Sequence, residues 1–151
     1  MTHRFYLNDD WLFTEQFEDS LTAPEYPENT LQPVRLPHTC KETPFHYFDE
    51  SIYQMVSGYR RHLLIPKDWQ GKQILLTFEG AAHDSTVFCN GKKVGEHHCG
   101  YTAFTVDLTD NVLYGQDNLL CVRLDSRENL NVPSFGYVID YMTYGGIYRD
   151  V

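Results

Sequence analysis

The chain has 151 residues, of which 42% are hydrophobic and 22% charged, the balance of an ordinary globular domain with enough length to bury a core. Twelve basic side chains stand against 21 acidic ones for a net charge of -9, which excludes a protein that tracks nucleic-acid phosphates or an anionic membrane surface. No apolar run approaches the ~18 residues of a membrane span, and "MTHRFYLNDDW" carries no apolar signal core, so a cytoplasmic location is expected.

In chain order, residues 18–57 read as a long connection carrying Pro24, Pro27, Pro33, Pro37 and Pro44, with room for a helical turn or two over 49–57. "GYRRHLLIP" predicts a strand stopped by Pro66. In "KQILLTFEG", Ile74, Leu76 and Phe78 alternate with Leu75, Thr77 and Glu79, a period of two. "TVFCNGKKVGEH" predicts a hairpin, because Asn90-Gly91 supplies the two positive φ angles of a type I′ turn at least strain. "YTAFTVDLTD" sets Phe104, Val106 and Leu108 against Thr105, Asp107 and Thr109, and "NLLCVRLDS" repeats the pattern with Leu120, Val122 and Leu124. Each run is short and bounded by turn residues, as half-buried antiparallel strands are. Six or more such strands predict an all-β fold, an antiparallel β-sandwich of the jelly-roll or immunoglobulin-like kind.

Cys40, Cys89, Cys99 and Cys121 show no C-x-x-C spacing and are expected to be reduced thiols, several of them buried. A zinc site built from Cys89, His97, His98 and Cys99 lacks the usual ligand spacing, so no metal and no cofactor is expected.

A second long connection, 126–146, is rich in aromatics (Phe135, Tyr137, Tyr141, Tyr144) and poor in charge, with Asp140 among the rings. Two readings of Asp140 stand side by side. It caps a turn or pairs with Arg127 or Arg149, or it waits for a ligand such as a sugar, whose adjacent hydroxyls a carboxylate accepts together. In "DYMTYGGIYRDV", Ile147, Arg149 and Val151 would share one face of a strand that the last residue leaves unfinished, so the chain is expected to be the opening part of something longer.

Four segments, in order and spacing, resemble the amino-terminal sugar-binding domain of family 2 glycoside hydrolases, the family of β-galactosidases, β-glucuronidases and β-mannosidases: "RLPHTCKETP", "IPKDWQGKQILLTFEGA", "VFCNGKKVGEHHCGYTAFTVDLT" and "DYMTYGGIYRDV". Cys99 stands where the family often has Gly, and Ala103 where it often has Pro. The resemblance implies a galactose-binding-domain-like sandwich with no catalytic residue of its own, followed in the same chain by an immunoglobulin-like domain and a barrel holding both catalytic glutamates of a retaining mechanism. It implies that Asp140 binds hydroxyls of a β-glycoside substrate, supported by Tyr144 and Tyr141. Asn90, Gly91, Gly146 and Arg149 would then be structural, Asn90 and Gly91 through the turn. A homo-oligomer is compatible with this reading, and a domain cut from its neighbours is expected to expose apolar surface and self-associate.

Overall fold

A computed structural model describes residues 2–46, 49–132 and 143–151. Among them are eight strands: β1 (Trp11–Thr14), β2 (Gln32–Val34), β3 (Val56–Ile65), β4 (Leu75–Phe78), β5 (Asp84–Cys89), β6 (Lys92–His98), β7 (Phe104–Asp107) and β8 (Gln116–Asp125). They form a six-stranded sheet in the order β2-β1-β3-β8-β5-β6 and a two-stranded sheet β4-β7, with every pairing antiparallel. This is the expected β-sandwich. No helix among the described residues is long and apolar enough to cross a membrane.

The alternation read from the sequence places the core. Leu76 and Phe78 of β4 and Val106 of β7 are buried, and they join Trp11, Phe13, Tyr59, Val87, Cys89, Leu120, Val122 and Leu124 of the large sheet in one cluster. The β5–β6 turn has Asn90 at φ 50° and Gly91 at φ 78°, as a type I′ turn requires. Asn90 does more than turn the chain: its amide donates to the Asn111 carbonyl and to Asn118 Oδ1 at 2.8 Å each, and its Oδ1 accepts the Leu119 N–H.

Three expectations need correction. β8 is not half-buried: Leu119, Leu120, Cys121 and Val122 are all buried in succession, because it is a central strand with both faces covered. The cover on its outer face comes from the stretch expected to be plain connection. Residues 15–31 fold over the sheet as a strap with two short 3-10 turns, and Leu21 and Leu31 pack on Cys121 with Phe17, Tyr26 and Phe88. Pro33 lies in β2, an edge strand paired only with β1, where a missing N–H is tolerated. Between 49 and 57 there is one 3-10 turn, Glu50–Tyr53, capped by the Asp49 carboxylate, before β3 begins.

The third correction concerns residues 147–151, which form no strand. Ile147 and Val151 are both buried, but a bend at Arg149 leaves that side chain exposed, so the three do not share a face. The segment shares its hydrogen bonds between two neighbours, so a regular ladder to either is not made. His38 N donates to the Ile147 carbonyl on one side, while Glu79 N and Ala82 N donate to the carbonyls of Asp150 and Gly146 on the other.

A buried cation holds the strap. Arg60 of β3 is fully buried, and its guanidinium donates to Glu28 Oε1 (2.6 Å) and to the carbonyls of Leu21 (2.7 Å), Ala23 (2.7 Å) and Pro24 (3.1 Å). Glu28 also accepts from His62 Nε2 at 2.7 Å, and the other ring nitrogen of His62 meets Asp117. Burying a guanidinium is tolerable only when its donors are matched, and here the strap's own carbonyls match them.

Candidate functional site

The segment singled out by the sequence, 126–146, leaves the sandwich after β8 and returns beside it. Asp140 and Tyr141, with Phe135 and Tyr137, lie outside the described residues. What the structure describes is how the segment is fixed at both ends. At the outgoing end Ser126 is buried. Its N–H donates to the Met55 carbonyl at 2.9 Å, and its hydroxyl lies 2.5 Å from the Tyr53 carbonyl and 3.1 Å from that of Met55.

At the returning end Cys40 N donates to the Gly145 carbonyl at 2.9 Å, and Gly146 exchanges backbone hydrogen bonds with Ala82 in both directions. Gly146 has φ 129°, and a Cβ there would stand 2.5 Å from the His38 carbonyl, so conformation and space both demand glycine. Tyr144 is half-exposed and meets the Tyr53 ring edge-on, 5.4 Å between centroids, and the Tyr53 hydroxyl in turn donates to the Lys41 carbonyl.

Beneath the returning end sits a small polar network. The Tyr59 hydroxyl accepts the Ile147 N–H at 3.4 Å and lies 2.8 Å from His38 Nδ1. Burial raises the phenol of Tyr59 well above its ordinary value and lowers the imidazole of His38, so the phenol keeps its proton and the ring stays neutral. Cys40 Sγ lies 3.5 Å from Ser57 Oγ, and burial raises the thiol too. Every group in this anchor is neutral.

The cations offered as partners for Asp140 are placed as follows. Arg127 makes a two-pronged pair with Asp125 at 2.9 and 2.6 Å. Burial alone would raise the Asp125 carboxyl, but the bonds from Arg127 and the nearby Arg123 outweigh it and hold it low. Arg149 sits with its guanidinium over the Tyr148 ring, 5.7 Å from the centroid. A cleft of about 450 Å³ opens beside the outgoing end, lined by His83, Asp84, Asp125, Arg127, Asn129 and Val132. A larger one of about 670 Å³ lies between the strap and the β1–β2 edge and contains none of the anchor residues.

The zinc grouping is not assembled. The β5–β6 register sets Cys89 opposite Lys92 and His98 opposite Asp84, so Cys89 and His98 are at opposite ends of the hairpin, roughly 16 Å apart by strand rise. His98 bonds Asp84 at 2.9 Å, and His97 stacks on Phe104. Among the described residues no cluster of three or more His, Cys, Asp or Glu could hold a metal ion. All four cysteines are free thiols, and Cys40, Cys89 and Cys121 are buried.

Sequence reasoning did not single out Ser126, Gly145, Cys40, Tyr59 or His38 as the anchor. Their contacts run mainly through backbone groups of segments distant in sequence, which leaves no side-chain periodicity to read.

Comparison with known proteins places these features in a family. The model of the glycosyl hydrolases family 2 sugar binding domain matches residues 7–151. A β-galactosidase of Thermoanaerobacter pseudethanolicus is 41% identical over 145 residues, covering 95% of this chain and 20% of that protein. A β-glucuronidase of Bacteroides fragilis is 35% identical over 146 residues, covering 96% of this chain and 19% of that protein. The crystal structure of Bacteroides uniformis β-glucuronidase superposes with a TM-score of 0.86 at 31% identity, over 97% of this chain and 17% of that one. The chain thus spans about a fifth of the length of the curated relatives it matches.

Proposed function

Because the chain belongs to glycosyl hydrolase family 2, as its sugar-binding domain, we propose that it serves a retaining β-glycosidase of the β-galactosidase/β-glucuronidase type as a non-catalytic substrate-contact domain. The observation that carries this is the pairing of 41% identity to a β-galactosidase with coverage of only 20% of it. The chain then corresponds to one domain, and the carboxyl pair that cleaves the glycosidic bond belongs to a barrel elsewhere in the same polypeptide. An immunoglobulin-like domain would lie between them.

In this reading Asp140 accepts hydroxyls of the sugar being cleaved, with Tyr144 and Tyr141 beside it. The contribution is one of binding and orientation, which raises the rate of a reaction performed by other groups. Support comes from the anchored ends of segment 126–146: a side chain offered to a neighbouring pocket is useful only if its carrier is held. Asn90, Gly91, Gly146 and Arg149 shape the sandwich. The four free thiols suit a reducing compartment, and the cytoplasm is proposed on that ground. Exposed Phe5, Tyr6, Phe45, Leu64 and Leu130 favour association, with other domains of the chain or with a second copy.

The test is Asp140→Ala in the full-length enzyme. Loss of one charge-assisted hydrogen-bonding group should lower kcat/KM for an aryl β-glycoside by more than about tenfold. An unchanged kcat/KM would remove the sugar-contact role.

A further inference from the structure

The strap is tied to the large sheet by few groups, most of them of a kind that water replaces. Of residues 15–31 only Leu21 and Leu31 are buried. Its backbone is satisfied locally: Leu21, Ala23, Tyr26, Thr30 and Leu31 each donate to a carbonyl three residues back, inside the strap. Among the described residues its one backbone hydrogen bond outward runs from Phe17 N to the Val56 carbonyl, at 2.8 Å. The remaining hold is the Arg60 guanidinium, the Glu28–His62 bond, an exposed ion pair from Glu15 to Lys41, and the leucines on Cys121. If the strap lifts, its turns survive and no strand pairing breaks. Water then takes over the carbonyls, and Arg60 recovers its hydration, which offsets much of what the four bonds contributed.

We propose that residues 15–31 form a latched lid: the strap lifts from the large sheet as a unit while the sandwich stays folded, and Glu28, His62 and Asp117 are a latch that protonation of His62 closes. The latch follows from geometry. Both ring nitrogens of His62 meet carboxylates, Glu28 of the strap at 2.7 Å and Asp117 of β8, and imidazole donates at both only when protonated. The other charges nearby are Arg60 on the same strand and, across the cleft of about 670 Å³, Asp10 and Arg35. Arg35 is paired with Asp9, and Arg61 turns to the backbone carbonyls of Asp9 and His62. Glu28 and His62 line that cleft, so solvent protons reach the latch. Burial alone would lower the ring, but the bonds from Asp117 and Glu28 raise it above 6.5. The latch is therefore closed below pH 6.5 and released as pH rises through the raised value.

Thiol alkylation in the full-length enzyme tests this, followed residue by residue with iodoacetamide and peptide mass spectrometry. Cys121, buried beneath Leu21 and Leu31, reports the lid, and Cys89, buried in the main core, reports global unfolding. Without urea, Cys121 should react at least about tenfold faster than Cys89. Its rate should change little with urea, whereas that of Cys89 should climb steeply, because denaturant sensitivity scales with the surface exposed. Gly58→Ala is a wedge under the lid, since a Cβ there would strike Leu21 Cδ2 and stand 3.1 Å from Thr14 Cγ2. It should raise the Cys121 rate about tenfold with the circular dichroism unchanged. Corrected for the pH dependence of N-acetylcysteine alkylation, the Cys121 rate should rise about twofold from pH 6 to 8, and not at all in His62→Gln. Equal rates and equal urea dependence for Cys121 and Cys89 would overturn the lid. The same corrected pH dependence in His62→Gln as in the natural enzyme would overturn the latch. If Gly58→Ala does not fold, the urea dependence of the natural enzyme decides alone.

Discussion

The strap over the large sheet and the anchor of segment 126–146 do the same job with opposite chemistry. Both tie irregular chain to β3 and its neighbours. The strap is tied by charge: Arg60, Glu28, His62 and Asp117 form a chain of ion pairs. The anchor is tied by neutral groups, through backbone hydrogen bonds, two hydroxyls and glycines packed against carbonyls and a serine. A charged clamp responds to pH, and when buried it is costly to break by halves. A neutral clamp depends on shape and tolerates no added atom. The region we propose to meet a ligand is the one held by shape.

The largest effect should come from breaking the charged clamp at its buried end. Arg60→Ala leaves Glu28 with His62 alone and the carbonyls of Leu21, Ala23 and Pro24 without their guanidinium donor. It should lower unfolding stability by about 3 kcal/mol in urea denaturation. Next comes the neutral clamp. Gly146→Ala forces a Cβ to 2.5 Å from the His38 carbonyl at φ 129°, and a loss of about 2 kcal/mol is expected in the same assay. Tyr59→Phe removes a hydroxyl that serves both His38 and Ile147, for about 1 kcal/mol.

The smallest effect is the most discriminating, because the two clamps contain histidines of opposite sign. At His62, burial alone would lower the ring, but the bonds from Asp117 and Glu28 outweigh it and raise it above 6.5. Its contribution is fully present below pH 6.5 and is lost as pH rises through the raised value. At His38, burial lowers the ring. Its contribution is present above pH 6.5 and is lost as pH falls through the depressed value. For Glu28, burial raises the carboxyl, and the bonds from Arg60 and His62 bring it net below 4.5, so its share is lost on further acidification. The charged clamp is therefore strongest between about pH 4.5 and 6.5. His62 is half-exposed, so its share is no more than about 0.5 kcal/mol. A histidine NMR titration should find His62 above 6.5 and His38 below it. The reverse order would mean that the two clamps are not built as described.

Much of this molecule was legible in the chain because its strands carry their pattern in side chains. β4 and β7 follow a period of two, and Asn90-Gly91 announces its turn by the one conformation those residues favour. β8 was misread for a reason outside itself: its second apolar face is covered by the strap, and nothing in "NLLCVRLDS" says so. β1 and β2, four and three residues long, are too short for periodicity to register. Residues 147–151 alternate like a strand, yet their partners are split between two segments. Asp140 stood out by chemistry, as a carboxylate among rings. Ser126 and Gly145 could not stand out, because what matters there is an absent side chain and a hydrogen bond between distant backbones.

The central claim is that this sandwich contacts sugar only as part of a larger pocket and carries no hydrolysis of its own. The most direct measurement is on the purified 151-residue chain: turnover of aryl β-galactoside and β-glucuronide, together with titration by galactose, glucuronate and short oligosaccharides. The account predicts no turnover and no binding tighter than about millimolar, since one carboxylate with two neighbouring rings supplies little more than the few kcal/mol that millimolar binding represents. Measurable hydrolysis would contradict it outright, and sub-millimolar binding would make the chain a carbohydrate-binding module in its own right.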